Sequence, residues 1–393
     1  MKRTILILLF LFLLFDLKAQ KLTLDGYVKD MEGIYLFDDA IPISFDKEIK
    51  TVSYNLIHNR LNFKFYPVKN LMVDLELRNR FFSGKLIGQM PGYADAIAVD
   101  NGLVDLSWNI AKGEKYFLNT SIDRFFIDYT LKNWQIRTGR QRINWGINLV
   151  WNPNDIFNAF SYMDFDYEER PGSDAVLISW YPSGSSAFDL AYKASKLEKE
   201  RTLAAKYRFN LFDYDIQFLA GQAGYDYVLG GGWSGAIWNL SFRGEASWFK
   251  PQHQKEDLSE EAFSGTVSLD YTFSNSLYLH TSFLYNSMGT TEKGIGYSLI
   301  NLNQQLSAKN LSIGKYELFG QISYPFGSLV NGSIAAMYNP VDFSIYVGPS
   351  VAISLHDDVE LFLTSQLLLG DNGTEYASLG DVYSFFGRLR WSF

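Results

Sequence analysis

Residues 139–160 read GRQRINWGINLVWNPNDIFNAF. Arg140, Arg142 and Asn144 fall on alternate positions, the spacing that shares one face of an extended chain. Guanidinium forks on one face suit carboxylate or sulfate better than a lysine point charge would. The segment that follows, WNPNDIFNAFSYMDFDYEERPG, adds Asn152 and the carboxylates of Asp155, Asp164, Asp166, Glu168 and Glu169. Acids at 164, 166 and 168 could hold a calcium ion in a curled loop. No glycine stands where the helix-loop-helix calcium pattern needs one, so pairing with nearby arginines is the simpler expectation. Other chemistries lack their residues. No GxGxxG or GxxxxGK[ST] occurs, and the glycines of VLGGGWSG read as a loop between strands. His58, His253, His280 and His356 lie on separate segments without ligand spacing. Thr281 cannot serve His280 as hydroxyl partner, because strand neighbours point to opposite faces. The expectation is a lining or binding protein, without cofactor or metal, rather than an enzyme.

These groups must be carried by strands. The chain holds 25 Tyr, 31 Phe, 9 Trp and 31 Gly but 10 Pro, with mean hydropathy near zero. That composition suits many long strands with one face against something apolar. Alternation is explicit in NRLNFKFYP, where Arg60, Asn62 and Lys64 share one face and Leu61, Phe63 and Phe65 the other. In LMVDLELRNRFF, Asp74, Glu76, Arg78 and Arg80 oppose Val73, Leu75 and Leu77.

The first twenty residues carry Lys2 and Arg3, an apolar core from Ile5 to Phe15 and a polar end at Gln20. This is the layout of an export signal over 1–19, leaving 20–393 as one domain. An uncleaved anchor is the alternative, with an apolar core short for a bilayer of about 30 Å. Cysteine is absent, so neither a disulfide scaffold nor a lipid-anchored cysteine is available. No later stretch is long and apolar enough for a membrane helix.

Eighteen strands can be placed, starting near 22, 51, 70, 117, 134, 173, 187, 202, 214, 231, 240, 264, 276, 311, 329, 343, 358 and 380, with sixteen as the variant. An N-terminus on the periplasmic side puts every short turn there and every long loop outside. The even count matches single-chain bacterial barrels. The chain ends DVYSFFGRLRWSF, an amphipathic strand closing on Trp391 and Phe393, which resembles the assembly signal of outer-membrane barrels. The fold expected is therefore an all-β, antiparallel transmembrane barrel, and a soluble sandwich is the weaker alternative. Its surroundings would be outer-membrane lipid and lipopolysaccharide, and its last strand would be read by barrel assembly machinery.

The inward charges follow from this frame. Arg60 and Lys64 add to Arg137, Arg140 and Arg142 and to Arg388 and Arg390, while Asp74 and Glu76 cancel Arg78 and Arg80, and Asp128 cancels Arg124. One wall becomes cationic by about seven charges although the chain carries −8 overall. Simple alternation from Trp134 would aim Arg140 and Arg142 at lipid, at about 2–4 kcal/mol each at mid-depth. A bulge near Gly139 is expected instead, turning Arg140, Arg142 and Asn144 inward and Ile143 and Trp145 outward. Two readings of the arginines compete: a lattice with lumen acids that stiffens the wall, and an anion-selective path.

Residues 139–146, followed by Asn152-Pro153-Asn154-Asp155, resemble the alginate-export-like group of outer-membrane channels and its porin relatives. The resemblance implies a large monomeric barrel with an arginine-lined anion conduit. It makes Arg140, Arg142 and Asn144 lumen residues and folds 147–171 over or into the pore. The function expected is a porin-like channel for small polar, anionic solutes. The rival is a non-conducting subunit of a larger outer-membrane assembly or biogenesis complex, with membrane or periplasmic protein partners. Trp233, Trp238 and Trp248 would serve as a contact in that case, or as an aromatic girdle. Nucleic acid is not an expected partner.

Overall fold

The computed structural model describes residues 21–44, 47–90, 92–165, 169–252, 260–292, 307–378 and 380–393, with the side chains of 40–44 and 47 excepted. The expected signal segment 1–19, Asp166, Glu168 and His253 lie outside the described residues.

The chain forms β1 (Leu22–Ser44), β2 (Lys47–Val68), β3 (Leu71–Gly84), β4 (Ser107–Lys112), β5 (Tyr116–Leu131), β6 (Trp134–Gln141), β7 (Ser173–Ser183), β8 (Ser186–Lys193), β9 (Thr202–Leu211) and β10 (Tyr214–Ala223). It continues through β11 (Asp226–Ile237), β12 (Leu240–Pro251), β13 (Ala262–Thr272), β14 (Tyr278–Asn286), β15 (Tyr316–Pro325), β16 (Val330–Tyr338), β17 (Ile345–His356), β18 (Val359–Leu369) and β19 (Val382–Ser392). Two short helices, α1 (Lys85–Gln89) and α2 (Tyr93–Ile97), precede β4.

The pairings between these strands are antiparallel, and β1 closes on β19 from Tyr27 opposite Ser392 to Phe37 opposite Val382. Gly26 and Phe393 exchange backbone hydrogen bonds of 3.0 Å at the seam. Closure joins the first strand to the last and satisfies the ladder inside a bilayer. Eighteen strands make up the circumference, because β4 and β6 share one place. β6 pairs with Phe125–Leu131 of β5, and β4 pairs with Phe117–Ser121 on the same edge. Each of the eighteen strand starts read from alternation has its counterpart here, the largest offsets lying at β2, β11 and β15.

Alternation survives in the burial. On β19, Phe385, Leu389 and Trp391 are exposed while Ser384, Phe386 and Arg388 are buried. On β6, Trp134 and Ile136 face out. Apolar side chains outside and mixed ones inside define a transmembrane barrel of the outer membrane.

Two expectations change. The VLGGGWSG glycines lie within β11, and the tight Gly224-Tyr225 connection before it, like the close approach of β1 at Ser44 to β2 at Lys47, sits at the end expected to hold only long loops. The bulge is also absent from β6, whose pairings with β5 and β7 run without a register shift. It sits next door on β5. Glu76 faces Arg124 while Leu77 faces Ile122, so Asp123 is the extra residue. Both Asp123 and Arg124 consequently point inward and are buried.

Candidate functional site

β6 is short because the chain leaves the wall after Gln141. The Gln141 amide secures this exit by donating to the carbonyls of Arg137 and Ala175, each at 3.0 Å. Ile143 and Trp145 then turn inward, each 2% exposed, which reverses the lipid-facing placement read from alternation. Strand parity stops applying once the chain leaves the sheet. Both pack with Phe157 against Ala175, Ala191 and Ala204, small residues on the inner wall of β7, β8 and β9. Burying each of the three large side chains contributes about 1.5–3 kcal/mol.

The described parts of segment 142–172, residues 142–165 and 169–172, are pinned across the lumen. The Ile147 N–H donates to Glu245 on β12 at 2.8 Å, and Asn148 accepts from Ser268 on β13. Asn154 donates to the Gly231 carbonyl at 3.0 Å and accepts from Ser247 at 2.8 Å. Tyr162 meets Phe319 of β15 edge-on at 4.9 Å. Met163 accepts from Gln366 on β18 at 2.6 Å, and Phe165 lies 4.8 Å from the Phe386 ring on β19. Glu169 accepts from the Tyr27 hydroxyl on β1 at 3.1 Å. The β11 glycines make the seat possible. A Cβ on Gly230 would stand 2.7 Å from the Asn154 side chain, and one on Gly232 would stand 2.9 Å from Ile147.

The other side of the lumen is charged. Arg60, 1% exposed, pairs with Glu76 and with Asp123 at 2.6 Å, and lies 3.8 Å from Glu169. Arg78 approaches Asp123 at 3.4 Å. Arg124 donates to the carbonyls of Asp123, Glu169 and Arg170 at 2.5–2.8 Å. Lys64 is the cross-strand neighbour of Asp74, Arg137 pairs with Asp128 at 2.7 Å, and Arg388 pairs with Glu360 at 3.2 Å. Much of the expected cationic excess is therefore met by acids.

Arg140 leaves that wall altogether. With continuous pairing it points to the side opposite Arg137, where Asp174 binds it at 2.7 Å and Asp100 at 2.6 Å. The segment 98–112, including β4, fills the gap that β6 leaves. Burial raises the Asp100 carboxyl, but the Arg140 guanidinium and the N–H groups of Leu106 and Gly102 hold it below the ordinary carboxylate range. Arg142 stays inside, near Asp155 and Arg170. Asp155 is fully buried, and burial pushes it up to about 7 against the opposing charges of Arg142 and Arg170. Arg170 is lowered to about 10 by burial and by Arg142. Asn152 is buried, and its carbonyl accepts from the Asp155 N–H at 3.0 Å. Asn144 is exposed and accepts from the Gly146 N–H at 3.3 Å. Asp164 closes a turn on the Ser161 carbonyl at 3.3 Å. Among the described residues no cluster of three His, Asp or Glu could hold a metal ion.

Register assembles a feature that alternation alone did not reveal. Arg390, Lys29, His58 and Arg80 are successive cross-strand partners on β19, β1, β2 and β3. Arg390 and Lys29 both lie over the Tyr27 ring, at 4.7 and 5.4 Å, and Arg80 lies over Phe82 at 5.6 Å. Directly below, Arg60 and Arg78 are partners of one another. Sequence reading missed Lys29, His58 and Asp123. The Asp-Arg doublet in SIDRFF was the available sign of the last, since two adjacent charges cannot both face inward without a bulge.

No protein-family model and no curated protein matches the chain. Solved structures do. Acinetobacter baumannii OccAB2 superposes with a TM-score of 0.59 at 7% identity, over 94% of this chain and 98% of that one. Pseudomonas aeruginosa OccK5 (OpdH) gives 0.59 at 7%, over 95% and 98%. Pseudomonas aeruginosa OccK11 (OpdR) gives 0.57 at 9%, over 94% and 95%. At such identities the likeness is one of fold, and it extends over nearly the whole chain: this protein is an 18-stranded outer-membrane β-barrel built like the Occ and OprD barrels.

Proposed function

We propose that the barrel is a channel for small polar, anionic solutes, narrowed by segment 142–172. The observation that carries this reading is the row of Arg390, Lys29, His58 and Arg80 across four paired strands; Arg60 and Arg78 beneath it are already matched by Glu76 and Asp123. Fixed cations on one wall of a narrow lumen favour anions even in a chain that is acidic overall. Segment 142–172 brings Glu169 and Arg170 to this wall, where Arg124 binds both carbonyls. The finer tie to alginate-export-like channels enters only through shared chemistry, a guanidinium wall for anions. Arg140, held by Asp100 and Asp174, adds nothing to that wall. Transport of this kind needs no catalytic group.

Planar-bilayer recording under a potassium chloride gradient tests the reading. Discrete channels with a chloride preference are expected, and the double variant Lys29→Glu, Arg390→Glu is expected to lose or reverse it. A barrel that folds but never conducts supports the second reading, a subunit of a larger assembly. The outer face of β1 and β2 favours a partner on separate grounds.

A further inference from the structure

The outward faces of β13 to β19 are almost wholly apolar, with Phe263, Val267, Leu279, Phe283, Ile322 and Ile334 among their exposed side chains. The outward face of β1 and its neighbours is different. Tyr27, Lys29 and Met31 point inward, so Asp30 and Glu32 point out, and both are exposed. Their partners on β19 are Leu389 and Gly387, members of the outward series that ends at Trp391. Asp30 and Glu32 lie four and six residues beyond Gly26, which pairs with the chain end. With a rise of about 3.4 Å per residue and a tilt near 40°, they stand roughly 10–16 Å above that level, in an apolar band about 25 Å tall.

Two carboxylates at this depth are served by one amide: Asn55 donates to Asp30 at 2.6 Å and to Glu32 at 3.0 Å. The outward polar track continues along the sheet, with Thr120 donating to Asn79 at 2.8 Å, Asn79 to Asn59 at 3.2 Å, and Asn59 to the Tyr27 carbonyl at 3.2 Å. Among the described residues no ion pair involves Asp30 or Glu32. On the β19 side the same surface opens into a hollow of about 700 Å³ lined by Ile322, Ile334, Val351, Leu363, Phe385 and Gly387. Gly387 is thus both the floor of the hollow and the cross-strand neighbour of Glu32.

We infer that this face is a lateral docking surface for a different outer-membrane protein, whose membrane-facing segment fills the hollow and presents lysine or arginine to Asp30 and Glu32. Charge complementarity sets the occupant. Ionisable groups facing hydrocarbon are costly and find partners. A second copy apposed through the same patch would place four carboxylates together, and lipopolysaccharide phosphates would be repelled by the two already present. The inference does not depend on whether the lumen conducts.

The test is photocrosslinking of the full-length protein in its own outer membrane, with a photoreactive residue at Ile34 or Leu389 beside the acids, or at Leu229 on β11 as a remote control. A discrete adduct heavier by one protein is expected at Ile34 and Leu389 and not at Leu229. It is expected to fall about tenfold in the Asp30→Leu, Glu32→Leu variant, roughly 1.4 kcal/mol of binding, while conductance or its absence stays unchanged. The milder Asp30→Asn, Glu32→Gln pair serves if the leucine variant does not assemble. Equal adducts at Leu229, an adduct of twice the chain's mass, lipid-sized adducts alone, or adducts unaffected by the substitutions would each overturn the inference.

Discussion

The two sides of the lumen differ in what meets the internal segment, although both carry ion pairs, Lys206 with Asp189 and Arg243 with Asp270 on one side and Arg60 with Asp123 on the other. From β7 to β13 the inner wall offers Ala175, Ala191, Ala204, Gly230, Gly232, Ser247 and Ser268. From β19 through β6 it offers guanidiniums, ammoniums and carboxylates. Small residues accept a packed chain segment, because the space that side chains would fill is left for it. Long charged residues hold their side through buried ion pairs instead, with Lys29, Arg60 and Asp123 each at most 6% exposed. The difference teaches how one barrel can seat an internal segment on small residues on one side and hold a buried ion-pair lattice on the other.

The strongest challenge to this division is to remove a charge where the lattice is buried. Asp123→Ala leaves Arg60 and Arg78 without a shared carboxylate and is expected to cost about 3–5 kcal/mol, read by urea unfolding in vesicles. Replacing both Arg60 and Asp123 by apolar residues of similar size should recover much of the loss. If Asp123→Ala is silent, the charged side is held by something other than its ion pairs.

Filling the small side is next in size. Gly230→Val with Gly232→Leu removes the seat of Ile147 and Asn154 and should raise single-channel conductance severalfold, with the fold retained by circular dichroism. An unchanged conductance means that segment 142–172 does not narrow the path.

The smallest effect concerns Asp155, where the segment is fully buried. Its carboxyl titrates near 7 when seated and in the ordinary range when the segment is released. The seated state therefore binds a proton that the released state gives up. The seat weakens as pH rises from about 4 to 7 and stays weakened above, because a raised carboxyl pKa favours the folded form only at low pH. Current fluctuations should grow from pH 5 to pH 8, and Asp155→Asn should flatten that trend. A pH-independent trace in the parent would show that Asp155 is not a hinge of the seat.

Much of the fold was legible because a barrel strand writes its two environments on alternate residues. NRLNFKFYP and LMVDLELRNRFF gave the inward sets of β2 and β3 directly, and WQIRTGRQ gave the outward Trp134 and Ile136. The glycine run of β11 misled, since glycines read as turn when nothing on the chain says another segment will lie against them. The run after Gln141 misled in the opposite way. Its alternation continued on paper after the sheet had ended.

What the sequence determined by itself was the transmembrane barrel, its strand order and its closing aromatic end, because these depend on near neighbours and on one apolar solvent outside. Tertiary structure decided which charges meet. Asp123 reaches Arg60 across 63 positions through a bulge, Arg140 turns to Asp100 and Asp174 beyond the end of β6, and Lys29 lines up with Arg390 only when the first and last strands close. Register between distant strands is set by the whole circumference, so a local pattern could name the inward residues but not their partners.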